Sequence, residues 1–194
     1  NTAWNSTGNT FVAWNWRAGS TTATNTAGSE DSVISANTTA GFSIVSYTGT
    51  GANMTIGHGL GAVPDLMIFK PRSTPDNWAV WHNSFVASRY VYLNKTSAAY
   101  THAPFMNSTL PTSTLITLGS WANTNTNNQT YIAYCFAEKE GYSSFGSYTG
   151  NGSADGTFVY TGFRPAWILI KQTNSASFNW NLIDTSRSPF NTAD

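Results

Sequence analysis

GFSIVSYTGTG (residues 41–51) alternates apolar and polar residues up to a Thr-Gly-Thr-Gly turn, and its last six residues return at 147–152 as SYTGNG. Extending outward turns this echo into a repeat. GFSIVSYTGTG aligns with GYSSFGSYTGNG (141–152) with one inserted residue. GLGAVPDLMIFK (59–70) aligns with TGFRPAWILIK (161–171), so that Pro64 meets Pro165 and Lys70 meets Lys171, both displaced by 101. Asn77 and Trp78 of NWAVWHNSF then meet Asn179 and Trp180 of NWNLIDTSRSPF, displaced by 102. Three blocks in one order at nearly one spacing indicate a tandem unit of about 100 residues.

A second echo links NTFVAWNW (9–16) to QTYIAYCF (129–136), each with a Trp a few residues upstream, Trp4 and Trp121. The expected organisation follows. Residues 1–17 are the closing strand of a preceding unit, and 18–40 (AGSTTATNTAGSEDSVISANTTA) are a small-residue linker. Residues 41–140 are one complete unit, and 141–194 are the first half of the next, closed by 1–17 of the same chain or by a neighbouring one.

Within the complete unit the apolar period is two. FSIVSY, NWAVWH and YVYLN alternate, DLMIFK and QTYIAYCFA are short apolar runs, and Gly, Pro and Asn turns fall between them. Six to eight short strands with no helical segment predict an all-β fold, an antiparallel β-sandwich of the jelly-roll kind. Phe42, Ile44, Ile68, Ile132 and Tyr134, or their strand neighbours, are the expected core of 41–138.

Charge sets the function classes. Hydrophobic residues make up 40% of the chain, enough for a core, yet only 9% of residues are charged, nine basic against nine acidic. A protein that neutralises phosphates needs a basic excess, so nucleic acid is not an expected partner. The polar surface is neutral instead: Thr, Ser and Asn together supply 70 of 194 residues. No apolar run approaches the length of a membrane span, so no membrane insertion is expected. Cys135 is the only cysteine; inside TYIAYCFA it reads as a buried, inert thiol.

The residues that carry chemistry are sparse. His58, His82 and His102 show no metal-ligand spacing, and the repeat places Asp184 where His82 stands. The nine acids are scattered rather than paired as a glycosidase requires. Asp155 in NGSADG and Asp184 in LIDTSR are the weak calcium candidates, with an Asx turn or a brace to Arg187 ahead of Pro189 as the structural alternative. No cofactor is expected. Trp78 and Trp81 are three apart in one strand, so one ring faces outward. That ring and its repeat counterpart Trp180 are the candidates for contact with a glycan or a neighbouring subunit.

The repeated blocks at 41–51, 59–70, 141–152 and 161–171 are similar to a repeated domain of structural proteins of marine tailed bacteriophages, of the tail-fibre or virion type, which resembles concanavalin A-like sandwiches. That resemblance implies a virion location and a non-enzymatic structural or adhesive role. The implied partners are further copies of the chain, other virion proteins and host-surface glycan. A microbial cell-surface or extracellular filament protein has the same physics. A glycan depolymerase is the third reading.

Overall fold

A computed structural model describes residues 6–187. Trp4, Pro189 and the outer parts of the expected segments 1–17 and 141–194 lie outside the described residues.

Period-two alternation yields strands: β1 (Ala23–Asn25), β2 (Ser32–Asn37), β3 (Phe42–Thr48), β4 (Met54–Gly57), β5 (Leu66–Pro71), β6 (Ala79–His82), β7 (Arg89–Tyr92), β8 (Tyr100–Thr101), β9 (Leu115–Leu118) and β10 (Thr130–Phe136). A second region adds β11 (Trp167–Ile170) and β12 (Asn181–Asp184). The only helix among the described residues besides a 3-10 turn is a single turn, α1 (Ala122–Asn125). The fold is all-β and its strand ladders are antiparallel.

Eight strands form one sheet in the order β1-β2-β3-β10-β5-β6-β7-β8, and β4 and β9 form a separate ribbon. The ribbon's Met54, Ile56, Ile116 and Leu118 are buried in one cluster with Val45, Tyr47, Met67, Phe69, Trp81, Tyr131, Ala133 and Cys135 of the large sheet. The core therefore lies between two layers. His58, just past β4, is fully buried there with its proton on Nε2: Leu60 N–H donates to Nδ1 (3.3 Å) and Nε2 lies 3.2 Å from the Thr112 carbonyl.

One expectation is corrected, and the core expectation is met mainly by its strand-neighbour alternative. Residues 18–40 are not a linker, because β1 and β2 extend the main sheet from β3 in the register Val33↔Ser46 to Asn37↔Phe42. Small hydroxyl residues form strand as readily as loop when a ladder is on offer. Of the expected core, Phe42 is buried, but Ile44, Ile68, Ile132 and Tyr134 are half-buried on the sheet's outer face. Their neighbours Val45, Met67, Phe69, Ala133 and Cys135 take the inner face, since a single-residue offset exchanges the two sides of a strand.

The second region has a strand pair in the same register as β5 and β6. β5 pairs with β6 as Leu66↔His82 to Phe69↔Ala79, and β11 pairs with β12 as Trp167↔Asp184 to Ile170↔Asn181. Displacing β5 by 101 and β6 by 102 converts one register into the other. The hydrogen bond beyond the ladder is copied too: Asn83 N–H donates to the Asp65 carbonyl, and Thr185 N–H to that of Ala166. Gly51 and Gly152, and likewise Gly61 and Gly162, keep the same left-handed φ, between 68° and 78°. Residues 141–160, aligned with β3 and β4, carry no named strand, only a bridge between Lys139 and Ser143. The strand expected over 9–16 is also not formed, and Phe11, Val12, Trp14 and Trp16 are exposed.

Candidate functional site: an aromatic and amide groove between the two regions

Alternation decides which tryptophan is available. Trp81, in β6, points into the core at 2% exposure, so it is excluded from any surface contact. Trp78, just before β6, lies on the outer side, stacked at 6.4 Å on Tyr134, with Lys70 Nζ 6.0 Å from its ring centre. Its backbone is fixed at both ends: Asn94 Oδ1 accepts from Trp78 N–H (3.1 Å), and the Trp78 carbonyl accepts from Leu93 N–H (3.0 Å). Asn94 Nδ2 in turn donates to Asn77 Oδ1 at 3.0 Å.

Trp180, the repeat counterpart of Trp78, reaches the same stretch from the second region. Its Nε1–H donates to the Tyr92 carbonyl at 2.9 Å, which fixes the indole plane, and the half-buried ring packs against the main core. Neighbouring bonds hold the two regions together here: Ala99 N–H donates to the Thr173 carbonyl (2.9 Å) and Lys171 Nζ to that of Thr96 (3.3 Å). Between them runs an open groove lined by Leu93, Asn94, Lys95, Thr96, Ser97, Asn179 and Trp180. It offers an aromatic ring, two amides, two hydroxyls and one ammonium, and no carboxylate. Sequence reasoning found Trp180 but missed the other wall. NKTS at 94–97 carries only a turn signal, and nothing in it announces that a segment 85 residues on will dock there.

The calcium candidates are occupied or alone. Both Asp184 oxygens take N–H donors: Oδ1 from Ser186 and Arg187 backbone at 3.0 Å, Oδ2 from Arg187 Nε. Burial pushes its carboxyl up, but the Arg187 hydrogen bonds and charge outweigh that and leave it below the usual range. His82 does the same work in the first region, its Nδ1 accepting from Ser84 N–H at 3.1 Å; burial lowers its pKa, partly opposed by the Asp65 charge. Asp184 and His82 thus each accept from the backbone N–H two residues on, at the end of strands that share a register. Asp155 is exposed on a loop closed by Asn151, whose Nδ2 donates to the Gly156 carbonyl. No group of three or more His, Cys, Asp or Glu fit to hold a metal exists among the described residues.

The carboxylates of Asp65 and Glu138 are engaged as joints. Asp65 accepts from Asn83 Nδ2 (2.8 Å) and Glu138 N–H (2.7 Å), while Glu138 accepts from Ser144 Oγ (3.1 Å) and Phe145 N–H (3.0 Å). They lock the end of β10 to the start of the second region. Cys135 is buried, and burial pushes its thiol up to about 12, only partly offset by a hydrogen bond to Ser43.

Over residues 1–194 the chain matches, and so belongs to, the family described as Domain of unknown function (DUF7483). No curated protein and no solved structure matches it.

Proposed function

We propose that this chain is a non-enzymatic structural and adhesive module of a tailed-phage particle, a fibre, spike or capsid appendage, that contacts host-surface glycan through the Trp180 groove. In this reading the two-layered β fold is a jelly-roll, concanavalin A-like sandwich, and β11–β12 belong to a second tandem unit; the shared strand register and glycine conformations support that. The observation that carries the reading is the fixed indole of Trp180 flanked by Asn94, Asn179, Thr96 and Ser97. A sugar ring presents an apolar face and a rim of hydroxyls, which fits an aromatic plate beside neutral donors and acceptors. A neutral surface rich in Thr, Ser and Asn keeps such contacts insensitive to salt. Single contacts of this kind are weak, and repetition along a particle multiplies them.

The test has two arms. Mass spectrometry of purified virions detects the chain as a particle component; finding it only on the surface of uninfected cells replaces the phage reading with the cell-surface one. In the second arm the purified chain is applied to immobilised host-surface polysaccharide. Asn179→Ala and Trp180→Phe each weaken retention about tenfold, which is about 1.4 kcal/mol, without changing the circular dichroism. No retention, or retention that both variants leave intact, rejects the groove; shortening of the polysaccharide establishes the depolymerase instead.

A further inference from the structure

β11 has one ladder partner, β12, and its other edge carries no strand among the described residues. In the main sheet the equivalent edge of β5 is filled by β10, in the register Tyr131↔Pro71 to Phe136↔Leu66. The β10-like sequence elsewhere in the chain is NTFVAWNW at 9–16, displaced from QTYIAYCF by 120. Carrying the β10–β5 register across both displacements gives one definite pairing: Ala13 opposite Ile170, Trp14 opposite Leu169, Asn15 opposite Ile168, Trp16 opposite Trp167.

The structure already holds the end of that register. The Trp16 and Trp167 rings meet edge to face at 5.2 Å, the counterpart of the Phe136↔Leu66 pair. Trp16 also touches Phe136 at 5.9 Å, and Arg187, just past β12, lies 5.1 Å from the Trp14 ring centre. Residues 9–16 are thus beside the second region, on the same chain, in no ladder and with four large apolar side chains exposed: Phe11, Val12, Trp14 and Trp16. An open edge next to an unpaired apolar segment is a pairing surface with its partner in place.

We infer that residues 11–16, which form no ladder in the structure, add as a strand to the open edge of β11 of the same chain, antiparallel in the Trp16↔Trp167 register. This rests on the tandem-unit reading of 141–187. The chain then contributes its amino-terminal segment to its carboxy-terminal region and encloses the first unit between them. The same step covers an edge that otherwise recruits a second copy.

Directly opposed antiparallel pairs alternate between hydrogen-bonded and non-hydrogen-bonded geometry, and both members of an adjacent couple therefore need testing. The variants are Ala13→Cys with Ile170→Cys, and Trp14→Cys with Leu169→Cys; Ala13→Cys with Ile168→Cys is the out-of-register control. Ile168→Cys with Ile183→Cys, and Leu169→Cys with Leu182→Cys, report the β11–β12 hairpin itself. Mild oxidation is expected to cross-link at least one in-register pair within monomeric chains, several-fold faster than the control, as read by non-reducing electrophoresis and peptide mass. Hydrogen exchange on the unsubstituted chain is expected to show protected amides at 11–16. Cross-linking only between chains, equal cross-linking of the control, or free exchange at 11–16 overturns the pairing. If the hairpin cross-links and 11–16 does not, the pairing falls alone; if the hairpin also fails, the tandem reading falls with it.

Discussion

Replacing Asn125 by Ala removes one side chain and unties the turn that ends β3. Asn125 is fully buried, at the end of α1, and its amide makes contacts in four directions. Oδ1 accepts from Thr50 N–H (2.7 Å) and Gly51 N–H (3.4 Å); Nδ2 donates to the Ala52 (2.6 Å) and Gly119 (2.9 Å) carbonyls. Gly51 N–H keeps a second acceptor in the Asn125 carbonyl, and the Ala52 carbonyl keeps a second donor in Thr50 Oγ1, so the variant orphans two backbone groups: Thr50 N–H and the Gly119 carbonyl. Each orphaned buried group costs about 1–3 kcal/mol, less where water enters the space vacated, so the expected loss is about 2–4 kcal/mol. For a chain of this size that lowers Tm by about 10 °C. Urea unfolding followed by tryptophan fluorescence measures it, with an unchanged m-value as the sign that only stability moved. Asn127→Ala, two residues on and exposed, is the matched control, expected within about 0.5 kcal/mol of the parent. A loss below about 1 kcal/mol for Asn125→Ala, or equal losses for the two, refutes the assignment of Asn125 as the tie.

Gly49→Ala drives a Cβ to 2.3 Å from the Thr126 carbonyl oxygen, whereas the equivalent Gly150→Ala meets nothing within 4 Å; thermal melts should show a loss of about 1–3 kcal/mol for the first and almost none for the second. Cys135 should react with a thiol reagent only as fast as the protein unfolds globally, and a burst of labelling in native buffer contradicts its placement in the core. Burial lowers the pKa of His58, despite an opposing hydrogen bond to Thr112, and that of His82, so the unfolded chain binds protons first on acidification. Stability is then complete above about pH 6.5 and falls as pH drops through the unfolded-state histidine pKa. Asp184, held low by Arg187, adds a further loss at more acidic pH as its carboxylate protonates. The urea midpoint against pH reads both, His58→Gln flattens the slope just below pH 6.5, and a midpoint that rises on acidification refutes the assignment.

Strand identity was legible because period two needs only the chain itself. FSIVSYT and AVWH are strands where alternation places them, and LMIFKP and TYIAYCF are strands where short apolar runs between turn signals do. The face was harder. Ile44, Ile68, Ile132 and Tyr134 are as apolar as Val45, Phe69 and Ala133, so hydrophobicity cannot rank two sides of a strand that both carry it. The side that lost is half-buried because the outer face is itself a surface of contact: Phe145 meets Phe136 there, at 6.2 Å. The linker expectation failed on composition alone, since the Ser, Thr and Ala of 18–40 became strand only where β3 gave them a neighbour. At the groove, Trp180 was legible as the copy of Trp78, while Asn94 to Ser97 became a wall only through docking across chain-distant segments.

The two copies of the opening stretch show how much of a strand is local. SYTGTG at 46–51 and SYTGNG at 147–152 share five of six residues, and Gly51 and Gly152 have nearly the same φ, 74° and 72°. Turn conformation is therefore written into the hexamer. Strand is not: the first copy lies in β3, paired on one side with β2 and on the other with β10, while the second carries no ladder. In the main sheet β3 never touches β5; β10 lies between them. A copied β3 can join a copied β5 only after a copied β10 has been inserted, whereas β11 and β12 are neighbours in sequence and pair without help. Among the described residues the β11–β12 hairpin is present and 141–160 carry no strand. Inserting residues 11–16 against β11 would leave their far edge facing 142–149, so the proposed strand carries a second consequence. If it forms, the amides of 142–149 gain protection along with those of 11–16, and a variant that blocks the first pairing, Ala13→Pro, removes both. Protection of 142–149 that survives Ala13→Pro would show that the second β3 finds its partner elsewhere.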